Sequence, residues 1–276
     1  MRRVYFTISF LFLILLAGSA FSQDRNFART YQSITLPKGV KDLEVWNTFR
    51  SGRDDFYRRI DQRVEFEVGL TDKLQTALYL NASHISALTY EDIGSSVEPA
   101  AVFESESEFS FSSEWKWRLT SPDANAVGFA LYGEFTFAPR ETELEGKIIL
   151  DKRTEKNIFA LNLVGELAWE NKLEAGRVDA EEETAFETDL AYMHMIKNNF
   201  GLGFELRQHN VFEESALEHS ALFGGPTLFF SGNKYFLILN VLPQWANMKK
   251  SDAVPGSLDL MEYEKIEVRL LLGFGL

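Results

Sequence analysis

The sequence contains no cysteine. That excludes disulfides as a support for the fold and excludes anchoring through a lipidated N-terminal cysteine. It also lacks, beyond its N-terminus, any apolar run of the ~20 residues that a membrane-spanning helix needs. Basic residues are few, 28 Lys and Arg against 41 Asp and Glu, for a formal net charge of −13. Such a chain is a poor partner for nucleic acid, because phosphate contacts need Lys and Arg. No Pro/Ser-rich linker, low-complexity tract or sharp change of composition divides it, so one domain is the simpler reading.

The N-terminus carries Arg2 and Arg3, an apolar stretch from Phe6 to Ala17, and Ala20-Phe21-Ser22 before Gln23. This is the pattern of a cleaved signal peptide over residues 1–22. Losing its two arginines leaves −15 on the mature chain. Residues 23–39 are then expected as an N-terminal periplasmic segment, and 40–276 as the folded domain.

The rest of the chain alternates. In VEFEVGLTDKLQTALYLN, residues 64–81, Val64, Phe66 and Val68 face one way and Glu65 and Glu67 the other; after a tight turn the alternation resumes. A period of two rather than three to four indicates strands. About twelve are expected, at 40–51, 57–70, 73–88, 103–119, 127–140, 142–152, 157–171, 184–196, 199–212, 220–230, 234–247 and 261–276. Compact polar turns such as Thr71-Asp72 and Ser231-Gly232-Asn233 alternate with longer links around 89–102, 172–183, 213–219 and 248–260. An even number of antiparallel strands with turns short on one side and long on the other predicts an all-β transmembrane barrel of the Gram-negative outer membrane.

Stripe length agrees with that expectation. In YFLILNVLPQW, Tyr235, Leu237, Leu239, Val241, Pro243 and Trp245 share one face; FALNLVGELAW repeats the arrangement up to Trp169. Ten steps of ~3.4 Å tilted by ~45° rise roughly 24 Å, the height of a lipid-facing band. Trp169, Tyr235, Trp245 and Phe274 are the expected aromatic girdle. The last strand, KIEVRLLLGFGL, resembles the C-terminal signal read by the barrel assembly machinery, with Leu276 where an aromatic is usual.

If lipid covers the apolar face, the charged face lines the lumen. The expected wall includes Arg59, Asp61, Arg63, Glu65 and Glu67, then Glu114, Lys116, Arg118 and Glu134. It continues with Glu166, Glu187 and Asp189, and ends with Glu205, Arg207, Glu267 and Arg269. Water or interstrand pairing must satisfy these charges, because isolated buried charge is too costly. Two readings stay open: a cation-favouring aqueous path, and a packed, ion-paired interior.

Catalytic and metal signatures are sparse. His194 shares the face of Phe186, Leu190 and Tyr192, His209 faces the lumen, and His84 and His219 fall near expected loops. No serine is marked as a nucleophile, so no enzyme is expected; a histidine–serine pair at the lipid boundary is what would argue for a membrane-face hydrolase. The run Asp179-Ala180-Glu181-Glu182-Glu183 lacks the spacing of a calcium loop and reads as solvated charge in an external loop. No cofactor or metal is expected. Gly224-Gly225-Pro226 reads as a kink in a strand, not a phosphate cradle.

TLPKGVKDLEVWNTFR, the GLTDKLQTALYLN hairpin, and GGPTLFF followed by NKYFLILNVLPQ resemble a family of bacterial outer-membrane β-barrels. These are barrels of the porin and transporter type, related to the MetA-pathway phenol-degradation group. The resemblance implies aromatic-compound uptake and supplies no catalytic residues. A passive channel for small solutes is therefore the first expectation. A closed interaction barrel, using the links 89–102 and 248–260 to contact a partner, is the second.

Overall fold

A computed structural model describes residues 25–91, 100–174, 177–213, 215–251 and 254–276; the expected signal peptide lies outside the described residues. Twelve strands follow one another: β1 (Lys41–Ser51), β2 (Tyr57–Thr71), β3 (Leu74–Glu91), β4 (Ala100–Thr120), β5 (Gly128–Phe137) and β6 (Glu141–Arg153), then β7 (Asn157–Glu174), β8 (Arg177–Lys197), β9 (Phe200–Glu213), β10 (Ala216–Ser231), β11 (Tyr235–Asn247) and β12 (Ile266–Gly275). Each pairs antiparallel with the next, and β1 closes on β12 from Asp42↔Gly275 to Ser51↔Ile266. Closure removes every sheet edge, which is what allows a sheet to sit in lipid.

Several boundaries differ from the sequence expectation, for two reasons. β3, β4, β7 and β8 run on past the expected strand ends, into segments such as Ala100-Ala101-Val102 and Asp179-Ala180-Glu181-Glu182-Glu183 where apolar and polar residues no longer alternate. Glu181–Glu183 consequently lie on β8, paired with Trp169 to Glu170 and Ala168 of β7, rather than in a loop. Conversely, β12 begins at Ile266, five residues later than expected, because 254–265 folds against the barrel wall.

The outer surface is apolar. Leu80, Phe109 and Trp115 are 66%, 70% and 51% exposed, on the face opposite the acids. Only lipid covers such a belt at no cost. Tyr235 and Phe274 are register partners at its short-turn end, and Trp245 and Trp169 stand near the other. Trp115 and Trp117 add to the short-turn girdle, which the sequence reading did not include. Gly225 has a close-approach role: a Cβ there would lie 1.9 Å from the Val241 carbonyl oxygen of the neighbouring strand.

The packed core lies inside the barrel. The chain from Arg25 onward, expected as part of a periplasmic segment over 23–39, lies in the lumen. Phe27, Ala28 and Tyr31 are buried there against Trp46, Ile149, Met193, Phe229, Phe236, Ile238 and Leu271. The chain leaves beside Gly69, whose missing side chain admits the Pro37 carbonyl at a point a Cβ would approach to 2.2 Å. The reason is compositional: the inward positions of β10–β12 at this level are apolar, and without a partner they would face water.

Candidate plug and vestibule

The N-terminal segment is held mainly by wall side chains. Glu205 of β9 accepts from the amides of Ala28 at 3.1 Å, Arg29 at 2.9 Å and Thr30 at 2.9 Å. It also accepts from the hydroxyls of Thr30 and Thr227, at 3.1 and 2.8 Å. Asn162 of β7 bonds Tyr31 twice, accepting from its amide at 2.6 Å and donating to its carbonyl at 3.0 Å. Asp151 accepts from the Ser33 amide and Gln75 from the Leu36 amide. These side chains replace the strand partner that the segment lacks, so its buried amides are satisfied without a thirteenth strand.

Charge and aromatic contacts complete the fit. Arg29 donates through one nitrogen to both oxygens of Glu267, at 2.5 and 2.7 Å. The Arg25 guanidinium lies 4.2 Å from the Tyr31 ring centroid and 4.5 Å from that of Trp46. Tyr31 meets Tyr132 edge-on at 5.0 Å. Cation–π contacts out of water are worth ~2 kcal/mol or more, so this end of the plug is firmly seated.

Beyond Arg29 and Tyr31, on the long-loop side, a cavity of about 430 Å³ opens. Its wall is divided by charge. Arg50, Arg59, Arg63 and Arg269 come from β1, β2 and β12, while Glu134, Glu143, Glu145 and Glu166 come from β5–β7 across the barrel. Arg63 reaches from one population to the other, pairing with Glu134 at 3.3 Å, and each wall also holds a counter-charge: Asp61 beside Arg50 at 3.2 Å on the basic side and Lys147 beside Glu145 at 3.0 Å on the acidic side. Arg207 pairs with Glu187. A cavity with opposite signs on opposite walls imposes a transverse field on anything passing through it.

All but one of the residues expected along the wall thus fall into two groups. Arg59, Asp61, Arg63, Glu134, Glu166, Glu187, Arg207 and Arg269 border the cavity. Glu65, Glu67, Glu114, Lys116, Asp189, Glu205 and Glu267 are buried deeper, among the plug and its surroundings. Arg118 sits at the short turn and donates to the Asp72 carbonyl. Glu65, Glu67 and Glu114 bring carboxylate oxygens within 4.8 Å of one another. Protein donors already serve this group, Gln75 reaching Glu67 at 3.0 Å and the Tyr79 hydroxyl donating to Glu114. Glu141 and Glu143, which also line the cavity, were missed at the β5–β6 turn, although they keep the parity of Glu145.

The link between β11 and β12 narrows the long-loop mouth. Asp259 is fully buried, accepts from His219 Nδ1–H at 2.8 Å, and has its own amide held by Gln244 at 2.6 Å. Tyr263 packs edge-on against Phe223 and His209, with centroids 5.9 and 5.5 Å apart. This link was expected to offer a surface to partners; from 254 onward it is instead committed to the inner wall of β9–β11. Of the other such link, 92–99 lies outside the described residues.

The chain belongs to a family of unknown function, DUF6662. The family model matches residues 19–276, nearly the whole chain. No curated protein sequence matches it. Among solved structures, the NanC porin is similar at 12% identity and a TM-score of 0.52, covering 85% of this chain and all of that one. The translocator domain of the autotransporter NalP from Neisseria meningitidis is similar at 10% identity and 0.52, covering 87% of this chain and 89% of the other. Both are similar in fold: this family member is an outer-membrane type of barrel with a filled short-turn half.

Proposed function

We propose that the protein is an outer-membrane channel for small polar solutes, closed at rest by its own N-terminal segment. The observation that carries this reading is the latch: residues 28–36 are held by the side chains of Glu205, Asn162, Asp151 and Gln75. Side-chain latches can release without unzipping the barrel ladder, so the wall survives opening. The apolar belt and the barrel fold support the outer membrane as location, with the short turns and the plug's exit towards the periplasm. The likeness in fold to a porin supports transport. The divided charge of the vestibule favours dipolar or zwitterionic solutes over the aromatic compounds that the phenol-degradation resemblance implies.

Planar-bilayer conductance tests the reading. The full mature chain should be silent or open only briefly, and a chain lacking residues 25–36 should show sustained steps. Glu205→Gln, which keeps the plug and weakens its latch, should open intermittently. Silence of all three, in protein shown to be inserted, would overturn the channel and favour a closed scaffold.

A further inference from the structure

The outer face of the barrel carries a polar cluster that the channel does not use. His84, expected near the loop end of the strand at 73–88, lies within β3 and faces away from the lumen on the same side as Leu78 and Leu80. Its Nδ1 is 2.8 Å from Ser107 Oγ, on the directly opposed position of β4. Its Nε2 is 3.4 Å from Ser86 Oγ and 3.4 Å from Ser105 Oγ, which oppose each other two register pairs further out, the next pair on the same face. The segment ESESEFSF produces this arrangement: alternation sends Glu104, Glu106, Glu108 and Ser110 inward and Ser105 and Ser107 outward.

The height of the cluster matters. Ser107 lies ten residues along β4 from Trp117, roughly 24 Å at ~3.4 Å per residue and ~45° tilt. Trp117 marks the short-turn girdle, so the cluster sits at the opposite, extracellular edge of the lipid band. Phe109, 70% exposed, flanks it on the midplane side, and Phe103 packs at a tilt against Phe56, with ring centroids 5.7 Å apart, beyond it. Arg58 opposes Ser86 across β2–β3 and shares the outward face of Ile60. A histidine, two serines within reach of one ring nitrogen and, on the next strand, an arginine whose guanidinium lies 5.3 Å from the Phe56 ring centroid thus stand where acyl chains join their headgroups.

The geometry points to a second activity: hydrolysis of the carboxylic esters of anionic lipids at the extracellular membrane face. Ser107 Oγ, accepting from His84 Nδ1–H, fixes the tautomer that leaves Nε2 free as general base. Nε2 takes the proton of Ser86 or Ser105 as that Oγ attacks the ester carbonyl carbon. The carbon–oxygen bond to the lipid alcohol breaks, and the alcohol leaves with the proton from Nε2. Interfacial water then attacks the acyl-serine, gives its proton to Nε2, and the fatty acid departs as the serine regains that proton. Separations of 3.4 Å are loose for proton transfer, as is common before substrate binds. Arg58 is placed to hold the phosphate of the headgroup.

The test uses the full mature chain refolded into phosphatidylglycerol, phosphatidylcholine or lipopolysaccharide-containing bilayers, with a fluorophosphonate probe and a fatty-acid assay. Label on Ser86 or Ser105 by mass spectrometry, and fatty-acid release from either anionic bilayer at ten-fold or more above phosphatidylcholine, are expected; the bilayer that is consumed identifies the source. His84→Ala should abolish both signals. Ser107→Ala should lower kcat about ten-fold with little change in KM, and Ser107→Asp should restore it, which a merely structural role would not produce. Arg58→Ala should erase the preference for anionic bilayers. These side chains face lipid, so folded, inserted variants are expected, with strand content and heat-dependent gel mobility as the check. An inserted wild type that takes no label and releases no fatty acid would overturn the proposal, as would activity that survives His84→Ala. Channel silence does not bear on either outcome.

Discussion

The two halves of the lumen share the same strands yet have opposite characters. Towards the short turns, Phe27 and Tyr31 sit among Trp46, Phe236, Ile238 and Leu271, with acids such as Glu65, Glu67, Glu114 and Glu205 buried around them, and the interior is a packed core. Towards the long loops, arginines and glutamates face each other across about 430 Å³. The difference teaches that a barrel interior becomes core or vestibule according to what the wall can bury, not according to strand number. An apolar wall exposed to lumen water is costly, so the short-turn half requires an occupant that the charged half does not.

The largest effect expected from breaking this comparison is removal of the occupant. A chain lacking 25–36 exposes the short-turn wall, and conductance should change from silence to sustained steps. A smaller lesion, Phe27→Ala, leaves the segment in place and removes about 3–5 kcal/mol of its seating, the usual cost of truncating a buried phenylalanine. Limited proteolysis of the N-terminus should then be faster, while the strand content is unchanged.

Much of this was legible in the sequence, and the part that was not has a physical explanation. The outward stripe from Tyr235 to Trp245 and the inward acids Glu65, Glu205 and Glu267 follow from period two alone, because lipid and lumen demand opposite chemistries. The plug left a fainter trace. Phe236–Leu239 and Leu270–Leu272 are apolar without interruption, which in a strand signals burial on both faces. That signal identifies an interior partner without saying which segment supplies it. The cluster at His84 was hidden for another reason: His84, Ser86, Ser105 and Ser107 all fall within the expected strands, but the pairing His84↔Ser107 depends on the register between β3 and β4, which alternation alone does not fix.

Leu239→Arg sharpens the contrast between the two faces of a single strand. Leu239 faces lipid near mid-band, where arginine costs roughly 2–4 kcal/mol. Its neighbour Ile238 is fully buried inside. Measured by urea titration in bilayers, Leu239→Arg should lower barrel stability in proportion to its depth, whereas Ile238→Ala should chiefly loosen the plug. At the other mouth, Gln244→Ala strands the Asp259 amide and the carbonyls of Asp259 and Glu264 that it serves. A buried group left unmade costs ~1–3 kcal/mol. Hydrogen exchange should therefore quicken over 254–265 and not at 25–36.

The smallest effect concerns selectivity. In the open, plug-deleted channel, replacing Glu141, Glu143 and Glu145 with glutamine removes acid from one vestibule wall and leaves the facing arginines. The transverse field becomes a net positive one, so the reversal potential under a salt gradient should move towards anion preference. Part of this acid is already neutralised by neighbours, Glu145 by Lys147 at 3.0 Å, so the shift should be modest. It should also fade between 0.01 and 1 M salt, as the screening length falls from ~30 Å to ~3 Å. A shift independent of salt would place those carboxylates outside the conducting path and leave the arginine wall alone in setting selectivity.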